Sequence, residues 1–451
     1  MSRERRPKLR LEDAMNQHTR PNTRPVYLVD GCRTPFLKAR GIPGPFTAAD
    51  LTVGAGRPLL LRQPFPAEAI DEVILGCVVP SPEELNVARI VALRLGCSER
   101  TPAWTVQRNC ASGLQALDSA AQSIASGRAD LVLAGGTEAM SHAPVLFGRA
   151  FVAWLGHWSR TRSLTARGRL LAQLRPRDLA PVIGLLKGLT DPIVGLSMGQ
   201  TAEHLAWRFG IDREAMDRFA LRSHQRLGTA ISDHVFSAEI TPLIAPDGTA
   251  YTRDEGYRAD SDLAQLGALR PVFDRPTGAV TAGNSAQVTD GAALLLLASE
   301  EAVARWDLTV LARVVDIQWA ALDPTEMGLG PVHAMAPLLQ RQGLATGDID
   351  LFEINEAFAA QVLACQEAWS DRHYREEVLG DAPDQAIPDD ALNPEGGAIA
   401  IGHPVGASGA RLALHLALSL KRRGLGLGVA SLCIGGGQGG ALLLRTEGGT
   451  P

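Results

Sequence analysis

No apolar run in this chain approaches the roughly 20 residues that a helix needs to cross a bilayer, so a membrane-spanning protein is not expected. Aromatic residues make up only 5% of the 451 positions. Positive charge is not in excess either: 44 lysines and arginines face 49 acidic residues, a formal net charge of −5. That balance gives no general electrostatic case for nucleic acid, and none is expected as a partner. Cysteine is sparse. The six (Cys32, Cys77, Cys97, Cys110, Cys365 and Cys433) form no Cys-x-x-Cys pair, and no His-x-x-x-His accompanies them. A disulfide framework and a structural metal are both disfavoured, and a reducing cytoplasm is the expected home. The first 24 residues carry many arginines but no apolar core, which argues against a secretory leader. Glu4, Glu12 and Asp13 argue against a mitochondrial one. Residues 1–24 read as a solvated tail.

What the chain does have is glycine, 46 residues of it, and much alanine, valine and leucine. That is the material of a layered α/β protein with room for two or three domains. Period and composition predict strands over 26–29, 70–78, 131–133, 294–297, 308–315, 349–353, 428–433 and 441–444, and helices over 48–61, 86–95, 331–340 and 412–420. Further helices start near Met198 and Asp212, and 231–270 reads as irregular. Residues 25–143 with 272–300 are expected to form one α/β half and 301–451 the other, with 144–271 a loop domain between them.

The rest is organised around 106–140. A short β-type segment ends at Cys110, small residues follow (Ala111, Ser112, Gly113), and Leu114, Leu117, Ala121 and Ile124 then recur at helical spacing. Cys110 therefore sits where a strand turns into a helix, and the unpaired N–H groups and helix dipole there favour a thiolate. A buried, inert cysteine is the competing reading. The pattern recurs: Ser112-Gly113, helix, buried strand and Gly135-Gly136 match Ser408-Gly409, helix, buried strand and Gly435-Gly436. One α/β unit is used twice.

Between about 144 and 196 the texture changes. Phe147, Phe151, Trp154, Leu155 and Trp158 fall roughly on one helical face, beside Arg149, Arg160, Arg162, Arg167, Arg169, Arg175 and Arg177. Such a basic amphipathic stretch fits an anionic membrane surface or a partner protein, through about 145–190. It fits equally a helical excursion packed on its own domain.

Four segments carry chemistry: Asn-Cys-Ala-Ser-Gly-Leu-Gln-Ala around Cys110, Asn-Glu-Ala-Phe-Ala-Ala-Gln from Asn355, Gly-Gly-Ala-Ile-Ala-Ile-Gly-His-Pro-Val-Gly-Ala-Ser-Gly from Gly396, and Cys-Ile-Gly-Gly-Gly-Gln-Gly from Cys433. In this order, across 26–445, they resemble the signatures of the thiolase family. The resemblance implies two similar α/β halves layered α-β-α-β-α, with an extended helical loop domain. It implies an acyltransferase in which Cys110 is the nucleophile, His403 takes its proton, and Cys433 is the second acid/base. Asn355 would orient a water that completes one oxyanion hole with His403, and the backbone N–H groups of Cys110 and Gly435 would form the other. Met198, Ser285 and Ala286 would lie near the coenzyme A arm. Coenzyme A would be a co-substrate, with no bound cofactor and no metal.

Gly435-x-Gly437-x-x-Gly440 matches a dinucleotide fingerprint, but the strand expected after it replaces the helix such a site requires. The related ketoacyl synthases generally use histidine where this chain has Cys433, which favours exchange at a thioester over decarboxylative condensation. The insertion at 144–196 resembles that of the β-subunits of trifunctional fatty-acid oxidation complexes, although those often carry histidine in place of Asn355. In short biosynthetic enzymes a serine stands where this chain has Ala286. Thiolytic cleavage of medium- to long-chain 3-ketoacyl-CoA in fatty-acid β-oxidation is therefore expected. Biosynthetic condensation of two acetyl-CoA and a membrane-docking scaffold subunit are the alternatives. The resemblance also implies a homodimer or tetramer, a hydratase/dehydrogenase subunit as companion, and a cytoplasmic location with peripheral contact at the inner membrane.

Overall fold

Leu294, Leu295, Leu296 and Leu297 are all fully buried, which a strand achieves only when both of its faces are covered. In the computed structural model, which describes residues 24–380 and 386–446, this run lies in one of the central strands. The tail expected over 1–24 falls, apart from Arg24, outside the described residues. Leaving aside three two-residue strands, the strands in chain order are β1 (Val26–Arg33), β2 (Glu72–Gly76), β3 (Ala103–Val106), β4 (Leu131–Ala139), β5 (Val145–Phe147), β6 (Pro181–Ile183), β7 (Thr289–Ser299), β8 (Ala312–Ala321), β9 (Leu351–Ile354), β10 (Leu427–Ile434) and β11 (Gln438–Arg445). The helices that matter here are α1 (Ala48–Leu61), α2 (Val87–Arg94), α3 (Ser112–Ala125), α4 (Arg149–Arg160), α5 (Leu164–Gln173), α6 (Gly184–Gly188), α7 (Met198–Arg208), α8 (Arg213–Ser232), α9 (Gly330–Gln342), α10 (Ala359–Ser370), α11 (Ala398–Ile401) and α12 (Ser408–Arg423). Their starts follow the local chemistry: Thr47 and Asp50 form a capping box on α1, and Ser197 and Gln200 do so on α7.

The main sheet runs β9-β10-β11-β8-β1-β7-β4-β2-β3. The same four-strand unit appears twice in it. In β2-β4-β7-β1 and in β9-β10-β11-β8 the first pair is parallel and the next two are antiparallel. The units join where Val26, Tyr27 and Leu28 pair with Val314, Arg313 and Ala312. The repeat read from the sequence is thus a repeat of topology. The strand expected over 308–315 instead begins at Ala312, where pairing with β1 starts, and continues to Ala321 because β11 offers a partner that far.

Side chains alternate between three cores. Leu294 and Leu296 join Leu51 and Leu59 of α1 and Val87 and Val91 of α2. Leu295 and Leu297 point the other way, among Leu114 and Leu117 of α3 and Leu412 and Leu416 of α12. On the second unit Leu442 and Leu444 share that middle core, while Leu443 packs with Val332 and Leu338 of α9 and Val362 of α10. The result is the layering α-β-α-β-α. The two middle helices meet without room for a side chain. A Cβ on Gly113 would lie 2.9 Å from the Ala410 nitrogen and the Gly406 oxygen, and one on Gly409 would lie 2.5 Å from the Leu114 nitrogen.

A buried ionic network bolts the irregular segment after α8 to α12. Arg33 contacts Glu239 and Asp254, each at 2.7 Å, and His415 lies 2.9 Å from both Glu239 and Glu395. Between β5 and β6, α4 and α5 form a hairpin with no fully buried side chain. Phe151, Trp154 and Trp158 stack along α4, with Phe147 of β5 against Phe151, and the Trp154 indole donates to the Leu170 carbonyl at 2.9 Å. Leu155, one turn from Phe151 on the same face, and Val152 beside it stay exposed.

Candidate active site

Three turns that are remote in sequence deliver the reactive side chains. The first joins β3 to α3. Asn109 adopts φ +44° there, a left-handed conformation that asparagine tolerates better than most residues. Its side-chain amide donates to the Gly435 carbonyl at 2.7 Å, which fixes the Cys110 turn against the second, at 435–437 between β10 and β11. Gly437 has φ +75°, and a Cβ on it would lie 2.3 Å from the Leu322 carbonyl oxygen, so only glycine fits. Cys433 lies near the end of β10, just before this turn. The third turn follows α11 and carries His403, whose N–H donates to the Gln287 carbonyl at 3.1 Å.

Cys110, His403, Cys433, Met198, Ser285 and Ala286 line one cavity of about 340 Å³. Gly435 and Asn355 are not part of its lining. The Gly435 N–H instead acts on the Cys110 sulfur electrostatically, favouring its thiolate, and Asn355 is fully buried with its Nδ2 3.5 Å from His403 Nδ1.

Electrostatics separate the three titratable groups. Burial pushes the Cys110 thiol up, and the N–H groups of Gly435 and of Cys110 itself pull part of that back. This runs against the expectation of a thiol made acidic by the helix start: desolvation outweighs the N–H groups even though the sulfur-bearing residue is only half-buried. Cys433 is raised well above the usual thiol range, by burial first and then by its neighbours Cys110 and Cys365. Burial, with Arg411 adding to it, lowers His403 to about 4. Its Nδ1 lies 2.6 Å from Ser408 Oγ, and Ser408 Oγ donates to the Pro404 carbonyl at 3.0 Å. With the hydroxyl proton committed there, Nδ1 carries the ring hydrogen and donates it to Oγ; this tautomer is assigned from the hydrogen-bond pattern. Nε2 is left as an acceptor without a protein partner, in a ring that lines the cavity.

Several contributors escape a reading of the sequence. Ser408 belongs to a signature but is not marked out within it, although it stands five residues after His403 at a helix start. Glu138 accepts the N–H groups of Val78, Val79 and Gly406 at 2.9, 3.0 and 3.0 Å, pinning the loop after β2 and the His403 loop together. Burial lifts it to about 7 against those bonds. The available signal is a carboxylate inside a wholly buried strand. Phe273, Met327 and Phe358 also wall the cavity, as do Leu186, Leu189 and Thr190 from the insertion, and of these only Phe358 lies within one of the four signatures. The glycine fingerprint at 435–440 leads into β11, a strand, as expected. Among the described residues no group of three or more histidine, cysteine or carboxylate side chains is arranged to hold a metal ion.

Comparison with known proteins gives a consistent result. Models of the thiolase N-terminal domain and of the thiolase C-terminal domain match residues 26–301 and 308–446. A 3-ketoacyl-CoA thiolase of Yersinia pestis is 38% identical over 431 residues, covering 94% of this chain and 97% of that protein. Among solved structures, human mitochondrial 3-ketoacyl-CoA thiolase has a TM-score of 0.82 at 38% identity, covering 94% of this chain and 100% of its own. The same human enzyme in complex with CoA gives 0.81 at 38% identity over 94% and 98%. An acetyl-CoA acetyltransferase of Bacillus anthracis gives 0.80 at 35% over 94% and 100%. With both halves matched, four signatures in order and Cys110, His403 and Cys433 around one cavity, the chain belongs to the thiolase family.

Proposed function

We propose that this chain is a degradative 3-ketoacyl-CoA thiolase, cleaving 3-ketoacyl-CoA with coenzyme A to acyl-CoA and acetyl-CoA. The observation that carries the reading is the meeting of Cys110, Cys433 and His403 in one cavity. Cys110 gives its proton to His403 Nε2, and its sulfur attacks the C3 carbonyl. Backbone N–H groups at Cys110 and Gly435 stand beside the reacting sulfur, where they oppose the negative charge that develops. The C2–C3 bond breaks, and Cys433, a thiol held protonated, gives its proton to the departing acetyl-CoA enolate. Cys433 then takes the proton of an incoming coenzyme A, whose sulfur attacks the acyl-Cys110 thioester; acyl-CoA is released and the departing Cys110 thiolate recovers its proton from His403. Asn355, beside His403, orients the water that completes the other oxyanion hole. Cys110→Ala is expected to lower thiolysis by about three orders of magnitude or more; near-normal turnover would refute the role. The biosynthetic reading takes over if the enzyme condenses acetyl-CoA and leaves longer 3-ketoacyl-CoA uncleaved.

A second reading concerns location. Val152, Leu155, Leu164 and Leu171 are exposed on α4 and α5, among Arg149, Arg160, Arg162 and Arg169, also exposed. That supports peripheral contact of a cytoplasmic enzyme with an anionic inner-membrane surface. Among the described residues no helix is long and apolar enough to cross a membrane. Reversing the charge of Arg160, Arg162 and Arg169 is expected to abolish flotation with anionic vesicles; unchanged flotation removes the idea. Dimerisation is supported by β3, the end strand of the sheet, whose Trp104 is 38% exposed.

A further inference from the structure

We propose that the acyl chain of the substrate, beyond its first few carbons, leaves the catalytic cavity beneath α6 and lies on the β5–β6 ribbon. Leu189, Leu186, Ile183 and Val145 then set the upper chain length, not the cavity alone. This rests on the thiolase reading above. At about 340 Å³ the cavity is at the small end for organic ligands, and it must already hold the ketone, the thioester and the thiol end of the carrier. A long chain has to continue elsewhere.

Both strands of the ribbon start from the cavity. Met140 lines it and leads through a short turn into β5, while Leu186 and Leu189 line it and follow directly on β6. The Gly184 N–H donates to the Pro144 carbonyl at 3.0 Å, and a Cβ on Gly184 would lie 2.5 Å from that oxygen. The base of the ribbon is thus pinned at the cavity. The next rung pairs Val145 with Ile183, and two residues further Phe147 pairs with Pro181. Directly opposed residues share a face, as do residues two apart, so all four stand on one side. Val145 is 65% exposed, Ile183 48% and Leu186 60%. Apolar surface that continues outward from an apolar cavity, without a buried partner, fits the remainder of the molecule bound in that cavity.

The test is a kcat/KM series for four-carbon to sixteen-carbon 3-ketoacyl-CoA, in lipid-free and detergent-free buffer, on the full-length protein. Ile183→Glu and Val145→Glu are expected to lower the ratio of long-chain to short-chain kcat/KM about tenfold or more, since a few methylenes lose apolar contact. Leu186→Ser, a milder change at an exposed position, is expected to do the same in smaller measure and guards against misfolding of either glutamate variant. A ratio within about twofold of wild type in all three overturns the proposal. So does an unchanged ratio accompanied by weaker flotation with vesicles, which would assign the ribbon to the bilayer. If wild type cleaves only short chains, the proposal fails and the thiolase reading stands. If it cleaves none, the thiolase reading itself fails.

Discussion

Replacing Ser408 with alanine removes one hydroxyl and tests how the site keeps its base. The His403 Nδ1–H has Ser408 Oγ as its acceptor, at 2.6 Å, in a half-buried ring whose Nε2 is out of contact with solvent. Leaving a buried donor unpaired costs about 1–3 kcal/mol. The ring can escape that cost by moving its hydrogen to Nε2 or by turning, and either escape spoils Nε2 as the acceptor for the Cys110 proton. At 1.4 kcal/mol per tenfold, the kcat of thiolysis is expected to fall about 10- to 100-fold. KM for coenzyme A is expected to change little, because Ser408 is not among the residues lining the cavity. Ser408→Thr keeps the hydroxyl and is expected to recover most of the rate. Steady-state thiolysis and mass detection of acylated Cys110 measure both points, with thermal melting as the check on folding. A folded Ser408→Ala enzyme with kcat within about threefold of wild type refutes the tautomer reasoning.

Three further outcomes follow from the same geometry. Burial lowers His403 to about 4, and a base works only when unprotonated, so the acid limb of kcat/KM is expected near pH 4; a histidine limb near 6.5 in the pH–rate profile would contradict it. Burial opposes charge on His415, but Glu239 and Glu353 outweigh it and push the imidazole up to about 10. A raised pKa means its stabilisation is whole below about 6.5 and is lost as pH rises through about 10. His415→Leu removes one cation from Glu239, which keeps Arg33, and from Glu395, which keeps Arg422 and Arg423; it is expected to cost about 1–3 kcal/mol near neutrality and flattens the alkaline fall in melting temperature, and an unshifted melt rejects the network as a stabiliser. Gly113→Ala forces the α3–α12 crossing apart, with an expected loss of about 1–3 kcal/mol in denaturant titration, and an unchanged midpoint would show the helices are not in close contact.

Much of the architecture is legible in the order of residues alone. The periodicities locate α1, α2 and α9 to within two residues, and the Ser-Gly, helix, strand, Gly-Gly echo announces a duplicated unit, because local period and glycine placement are properties of short segments. The reactive residue types are legible too. What short segments cannot carry is the balance of desolvation against nearby N–H groups, which reverses the expected direction at Cys110. Nor can they carry partners brought from elsewhere in the chain, such as Glu138 on the Gly406 N–H or the insertion leucines at the cavity. The sequence by itself determined which atoms could do acyl transfer and in which turns they would stand. Only the tertiary structure decided their protonation states and the shape around them, since burial and through-space neighbours depend on how distant segments pack.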